Sequence, residues 1–132
     1  MTGETQLSLL LRNMAPQLHD GEYVFCTLPP GTPVDLDEVI GSFREAEGLT
    51  VVLARDTAEA LGWRYAYVAA WITLEVHSAL EAVGLTAAFA SALGAAGISC
   101  NVIAGYYHDH LFVAHEDAAR AMAALRQLAA GA

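Results

Sequence analysis

The sequence predicts an α+β protein made of two small halves packed in tandem, each an antiparallel sheet with its helices on one face. Three observations lead there. Residues 71–129 read in order as strand, helix, strand, strand, helix. Residues 22–69 read as strand, short helix, strand, short helix, strand. No linker-like run separates the two patterns, and such elements bury their apolar faces by layering helices on a sheet. The halves are placed at 1–64 and 65–132.

Leu7, Leu10, Leu11 and Met14 follow the i, i+3, i+4, i+7 spacing of one helical face, and Pro16 is expected to stop that helix. Residues 22–28 read as a strand apolar on both faces, followed by a loop holding Pro29, Pro30, Gly31 and Pro33. Asp35 is positioned to cap a short helix through about Phe43. Leu49–Leu53 reads as a strand, and a short helix capped by Asp56 or Thr57 ends at Gly62. Residues 64–69 form a further candidate strand. In the second half, Ile72, Leu74 and Val76 alternate with Thr73, Glu75 and His77, giving a strand over 71–77. A loop holds Ser78–Gly84. Leu85, Phe89, Ala92, Leu93 and Ala96 line one helical face that Gly97 ends. Strands follow at 98–104 and 110–114. Ala118, Ala121, Met122, Leu125 and Leu128 make the last helix, with Glu116 and Asp117 at its start and Arg126 near its end, as the helix dipole favours.

Composition narrows the function. The chain has 132 residues, 55% of them hydrophobic, enough to bury a core and to exclude disorder. The formal net charge is −9, with 6 basic against 15 acidic residues and no lysine. That balance argues against a phosphate-neutralising nucleic-acid surface and against an anionic membrane. No apolar run reaches the roughly 18 residues of a membrane span, and the N-terminus does not read as a secretory signal. Cys26 and Cys100 lie inside apolar strand patterns and read as buried free thiols of a cytoplasmic protein. The motifs GxSxG, GxGxxG, HExxH and the P-loop are all missing. Ser78 or Cys100 beside a histidine would be the available nucleophiles, and Cys100 on an apolar face is a poor thiolate. The expectation is a protein that is not an enzyme and carries no cofactor.

The richest stretch is residues 98–113, ISCNVIAGYYHDHLFV, where Tyr106, Tyr107, His108, Asp109 and His110 crowd a strand–strand junction. The loop Ser78–Thr86 precedes a helix whose first backbone N–H groups suit a carboxylate, and Gly84 permits close approach. Thr86 as a plain N-cap is the alternative. His108 and His110 point the same way on a strand and offer a metal pair, with His77 as an added donor; structural histidines are the alternative. Ser99 and Asn101 put polar groups on the face opposite Ile98, Cys100 and Val102. Arg44, Glu45, Glu47 and Thr50 cluster beside strand 49–53. His19 and His115 read as ordinary loop or helix-flank residues.

The spacing Gly84-Leu85, Leu93, Gly97-Ile98, together with the strand–helix–strand–strand–helix order, resembles an ACT domain. GEYVFCTL (21–28), EGLTVVL (47–53), LEVHSALEAVGLTA (74–87) and residues 98–113 extend the resemblance over both halves, to a bacterial family of tandem ACT-like proteins. The resemblance implies ferredoxin-like βαββαβ halves and a regulatory protein that binds a small molecule, most simply an amino acid, at an interface of ACT units. It places the ligand carboxylate at Ser78, Val83, Gly84, Leu85 and Thr86. Asp109, with Glu47, would hold the ammonium, and Ser99, Asn101 and His108 would line the pocket. It also implies a homodimer. A metal-binding protein or metal-dependent enzyme using His108 and His110, and a ligand-free assembly module, are the alternatives.

Overall fold

The computed structural model describes residues 3–76 and 84–132. Its elements are α1 (Gly3–Arg12), β1 (Ala15–Leu18), β2 (Tyr23–Leu28), a 3-10 turn (Leu36–Glu38), β3 (Gly41–Arg44), β4 (Leu49–Ala54), α2 (Arg55–Leu61), β5 (Val68–Glu75), α3 (Leu85–Ala95), β6 (Cys100–Ala104), β7 (Asp109–Ala114), a second 3-10 turn (His115–Asp117) and α4 (Ala118–Ala130). They gather into two compact units. The inner unit is Asp20–Ala69; the composite unit joins Met1–His19 to Ala70–Ala132. The division expected from the sequence, 1–64 and 65–132, runs along the chain. The spatial one instead sends the N-terminal segment to the C-terminal unit.

In the composite unit β1 pairs antiparallel with β5, from Ala15 opposite Glu75 to Leu18 opposite Ile72. β7 lies on the other side of β5 and pairs in turn with β6. The strand order β1-β5-β7-β6 is that of a ferredoxin-like unit whose fourth strand is supplied by β1. Alternation selects the faces. Ala70, Ile72, Leu74 and Val76 of the β5 segment and Leu111 and Val113 of β7 share a core with Leu85, Phe89 and Leu93 of α3, Ala121, Met122 and Leu125 of α4, and Leu11 of α1. Gly97, at φ +75°, ends the α3 segment, and the Ile98 amide reaches back to the Leu93 carbonyl at 2.9 Å. This six-to-one bond is the Schellman closure that glycine permits.

The inner unit repeats the order with less material. β3 pairs with β4, β4 with β2, and β2 with the first two residues of β5, Val24 opposite Val68 and Tyr23 opposite Ala69. Its core is Val24, Cys26, Leu28, Val51, Leu53 and Ala58. Where the composite unit has an eleven-residue helix, the inner unit has only the 3-10 turn Leu36–Glu38, capped by the Asp35 carboxylate on the Asp37 amide at 3.0 Å. The second helix shrinks to seven residues and closes as α3 does: Gly62 at φ +71°, and the Trp63 amide on the Ala58 carbonyl at 3.0 Å.

Four sequence expectations change. α1 already ends at Arg12, and Pro16 sits inside β1 at a non-hydrogen-bonded pair with Leu74, where its missing N–H faces away from β5 and costs no ladder bond. The helix expected through Phe43 gives way to β3, because Asp35 supports only a 3-10 turn. The candidate strands 64–69 and 71–77 are one strand, β5, beginning at Val68. Neither Asp56 nor Thr57 caps α2, whose N-cap is Ala54.

Candidate functional site

The composite unit's β6–β7 connection is a tight turn in which the Gly105 amide donates to the His108 carbonyl at 2.9 Å. A Cβ at position 105 would stand 2.8 Å from that carbonyl oxygen and 3.2 Å from His110 Nε2, so the turn requires glycine. The turn also sets which way each side chain of β7 faces. Asp109 is opposite Ala104 and Leu111 opposite Val102, on the helix-covered side; His110 is opposite Ile103 and Phe112 opposite Asn101, on the other side. Side chains of β7 meet β5 in reverse order, His110 with Thr73 and Phe112 with Trp71. β7 therefore runs antiparallel to β5, and Asp109 lies toward the end of β5 from which the chain leaves for α3.

Asp109 is half-buried, and burial raises its carboxyl above the ordinary value, with His110 opposing. Among the described residues it makes no salt bridge. α3 begins at Gly84, at φ +94°, with no side-chain cap, so Thr86 is not the N-cap. A Cβ on Gly84 would stand 3.2 Å from Leu7 Cδ2 of α1, so this glycine serves packing as well as the turn. Leu85 is a core residue, 2% exposed, and Thr86 is exposed. Ser78 and Val83 lie outside the described residues, as does His77. Asn101 is exposed on the face opposite Asp109, and Ser99 is exposed just before β6. The sheet thus separates Asn101 from Asp109 rather than joining them in one pocket.

The sheet face opposite the helices, where Phe112 and Thr73 are buried, holds a cluster that the sequence reading missed. Trp71 Nε1–H donates to His110 Nδ1 at 3.1 Å, and Thr73 Oγ1 lies 3.1 Å from the same nitrogen. Thr73 Oγ1 also bonds His19 Nε2 at 2.7 Å, and the His19 ring stacks on Trp71 with centroids 3.5 Å apart and planes 9° from parallel. An indole N–H can only donate, so His110 Nδ1 accepts and its proton sits on Nε2. Burial lowers the proton affinity of both histidines. His108 and His19 lower that of His110 further, while Asp109 opposes; Glu75 opposes at His19. His19 is therefore no ordinary loop residue. The sequence signals this cluster only as the alternation of Trp71 and Thr73 on one strand face, with partners distant along the chain.

His110 Nδ1 is thus committed to hydrogen bonding, while His108 Nδ1 is buried without a hydrogen-bond partner among the described residues. Among the described residues no group of three or more His, Cys, Asp or Glu side chains is arranged to hold a metal ion. Both cysteines are free, and burial pushes the Cys100 thiol up to about 11, which removes it as a nucleophile. His115 is exposed in the turn before α4.

In the inner unit, Glu47 is exposed in the β3–β4 turn. Beside it is a cavity of about 250 Å³ lined by Pro30, Gly31, Thr32, Arg44, Glu45, Gly48 and Leu49. Glu45 accepts from the Thr50 hydroxyl, and Arg44 makes no ion pair among the described residues. This cavity brings together Arg44 and Glu45, one side chain of each charge.

The chain matches two ACT domain family models, over residues 2–70 and 67–127. A solved protein of unknown function from Vibrio cholerae, described as a possible transport protein, is 50% identical over 97% of this chain and 99% of its own, with a TM-score of 0.84. An Agrobacterium tumefaciens protein is 20% identical over 88% and 89%, with a TM-score of 0.67. The regulatory subunit of aspartate kinase from Thermus thermophilus, in its ligand-free form, is 12% identical over 87% and 95%, with a TM-score of 0.59. At such low identities these last two speak for the fold alone. No curated protein matches by sequence.

Proposed function

The chain belongs to the ACT domain family, and on that premise we propose that it senses an amino acid or a similarly small zwitterion. ACT domains are regulatory, ligand-binding modules rather than catalytic ones. The observation that carries the finer reading is Asp109. It is a carboxylate partly withdrawn from water, without an ion-pair partner among the described residues, on the helix-covered side of the sheet and toward the α3 end of β5. An ammonium group would compensate its desolvation, while the first amides of α3, Gly84 to Thr86, would receive the carboxylate. Ser78, Val83 and His108 complete this reading. Asn101 and Ser99 would serve it only from the other sheet face, across a contact with a second copy. Glu47 belongs to the inner unit, where the Arg44–Glu45 cavity is a second locus of matching charge.

The proposal extends to a homodimer in the cytoplasm. β6 ends one edge and carries Ile103, 41% exposed; β3 ends another and carries Phe43, 73% exposed. Open strand edges are ready pairing surfaces. No helix among the described residues is long and apolar enough to cross a membrane.

The test is a thermal-shift screen against the twenty amino acids, with Asp109→Ala and Arg44→Ala in parallel. A ligand at about 100 times its Kd adds roughly 2.7 kcal/mol of stability, several degrees for a chain of this size. A shift lost in Asp109→Ala and kept in Arg44→Ala supports the Asp109 site, and the converse moves the site to the inner unit. A flat screen at millimolar ligand overturns the sensor reading in favour of an assembly module.

A further inference from the structure

The sheet face opposite the helices closes on one hydroxyl. Thr73 Oγ1 lies between His19 Nε2 at 2.7 Å and His110 Nδ1 at 3.1 Å. A threonine hydroxyl owns one proton and two lone pairs. With His110 Nδ1 already accepting from Trp71 Nε1–H, the arrangement is complete only while His110 is neutral. A proton arriving on Nδ1 sets two N–H groups against each other, and the Trp71 bond must break. Thr73, whose own hydrogen is already directed at His19 Nε2, can then accept from His110, so the first proton costs the Trp71 bond alone. A second proton, on His19 Nε2, leaves Thr73 no acceptor for its own hydrogen and sets two imidazolium rings around one oxygen.

His19 directly follows β1. Its amide bonds the Trp71 carbonyl at 2.9 Å and its ring stacks on the Trp71 indole. Among the described residues, β1 otherwise pairs with β5 alone, over four residues, and packs against α4. The titratable groups acting on the histidine pair are Glu75 on β5, which favours the charged His19, and His108 and Asp109 beside His110, which act in opposite senses.

We propose that His19, Thr73, His110 and Trp71 form an acid-sensitive latch holding the N-terminal strand β1 on the C-terminal ACT unit, so that proton uptake loosens β1. Burial supports the direction. Both histidines have proton affinities below the ordinary 6.5, so the closed latch binds protons less well than the open one, and acid favours opening.

Hydrogen exchange of the intact chain, corrected for the intrinsic pH dependence of exchange, tests this. Between pH ~7.5 and ~5.5 the β1 amides should lose protection, while the β2–β4 amides of the inner unit hold theirs. His19→Phe keeps the ring stack and His110→Gln keeps an acceptor for Trp71; together they should abolish the β1 response. Imidazole nitrogen NMR of the unmodified protein at neutral pH should show His110 protonated on Nε2. Unchanged β1 protection on acidification, an undiminished loss in the double variant, or a His110 proton on Nδ1 each overturns the latch.

Discussion

The two units share a strand order and differ in what covers it. The composite unit lays α3 and α4 over its sheet, with Phe89 and Leu125 fully buried beneath them. The inner unit replaces the first helix with three residues of 3-10 turn and leaves Leu36 at 74% and Phe43 at 73% exposure. The ferredoxin-like plan is therefore specified by its strands and their register. The helix layer sets how much apolar area is removed from water. The units also differ in chemistry: all five histidines fall outside Asp20–Ala69.

The largest test of this contrast is Phe89→Ala. The ring is fully buried under α3, and its loss should cost about 3–5 kcal/mol in urea unfolding. Each unit carries one tryptophan, Trp63 in the inner and Trp71 in the composite. Reading the Phe89→Ala transition through each separately decides whether the units unfold together. If only the Trp71 signal moves, they are thermodynamically distinct. Gly48→Ala should strike the inner unit by about 1–3 kcal/mol, because a methyl there would run into the Leu28 carbonyl oxygen. The matched caps come next. Gly62→Ala and Gly97→Ala force alanine into left-handed backbone where no neighbouring atom interferes, so each should cost about 1–2 kcal/mol. Equal costs would show that the closures are equivalent despite the unequal helices. Acid separates the units more gently. His19 and His110 bind protons less readily when folded, so stability holds above pH 6.5 and declines as pH falls below it. That decline should vanish in His19→Phe/His110→Gln. Smallest is thiol reactivity. With Cys100 raised to about 11 and Cys26 also raised by burial, neither should react appreciably with a thiol reagent at pH 7 in the folded chain.

Legibility in the sequence divides along the same contrast. α3 and α4 are long enough for apolar spacing to repeat, and Gly97 marks an end, so both are evident. So are β2 and β4, whose apolar runs are bounded by proline, glycine and charge. β1 is hidden because four residues around Pro16, mostly exposed, carry no alternating signal. β3, Gly-Ser-Phe-Arg, is polar and exposed, and it is a strand only because β4 pairs with it. The crowding at 105–110 does mark a turn with chemistry. The grouping of Asn101 with Asp109 fails because a two-residue period puts residues of opposite parity on opposite faces once register is known. The Thr73 cluster is illegible for a different reason. Its four side chains come from three separated segments, and only the pairing of β1 with β5 and the packing of β7 beside it assemble them.

Supplying the fourth strand of the composite unit from residues 15–18 has a kinetic consequence. Ala15 must find Glu75, and Leu18 must find Ile72, with the whole inner unit as the intervening loop. Every strand pair inside Asp20–Ala69 closes over a shorter span, so entropy favours the inner sheet forming first. On a ribosome the same order is imposed from outside. β1 emerges early and must wait, unpaired, until β5 has been synthesised, and through that interval its edge is open to any other strand within reach.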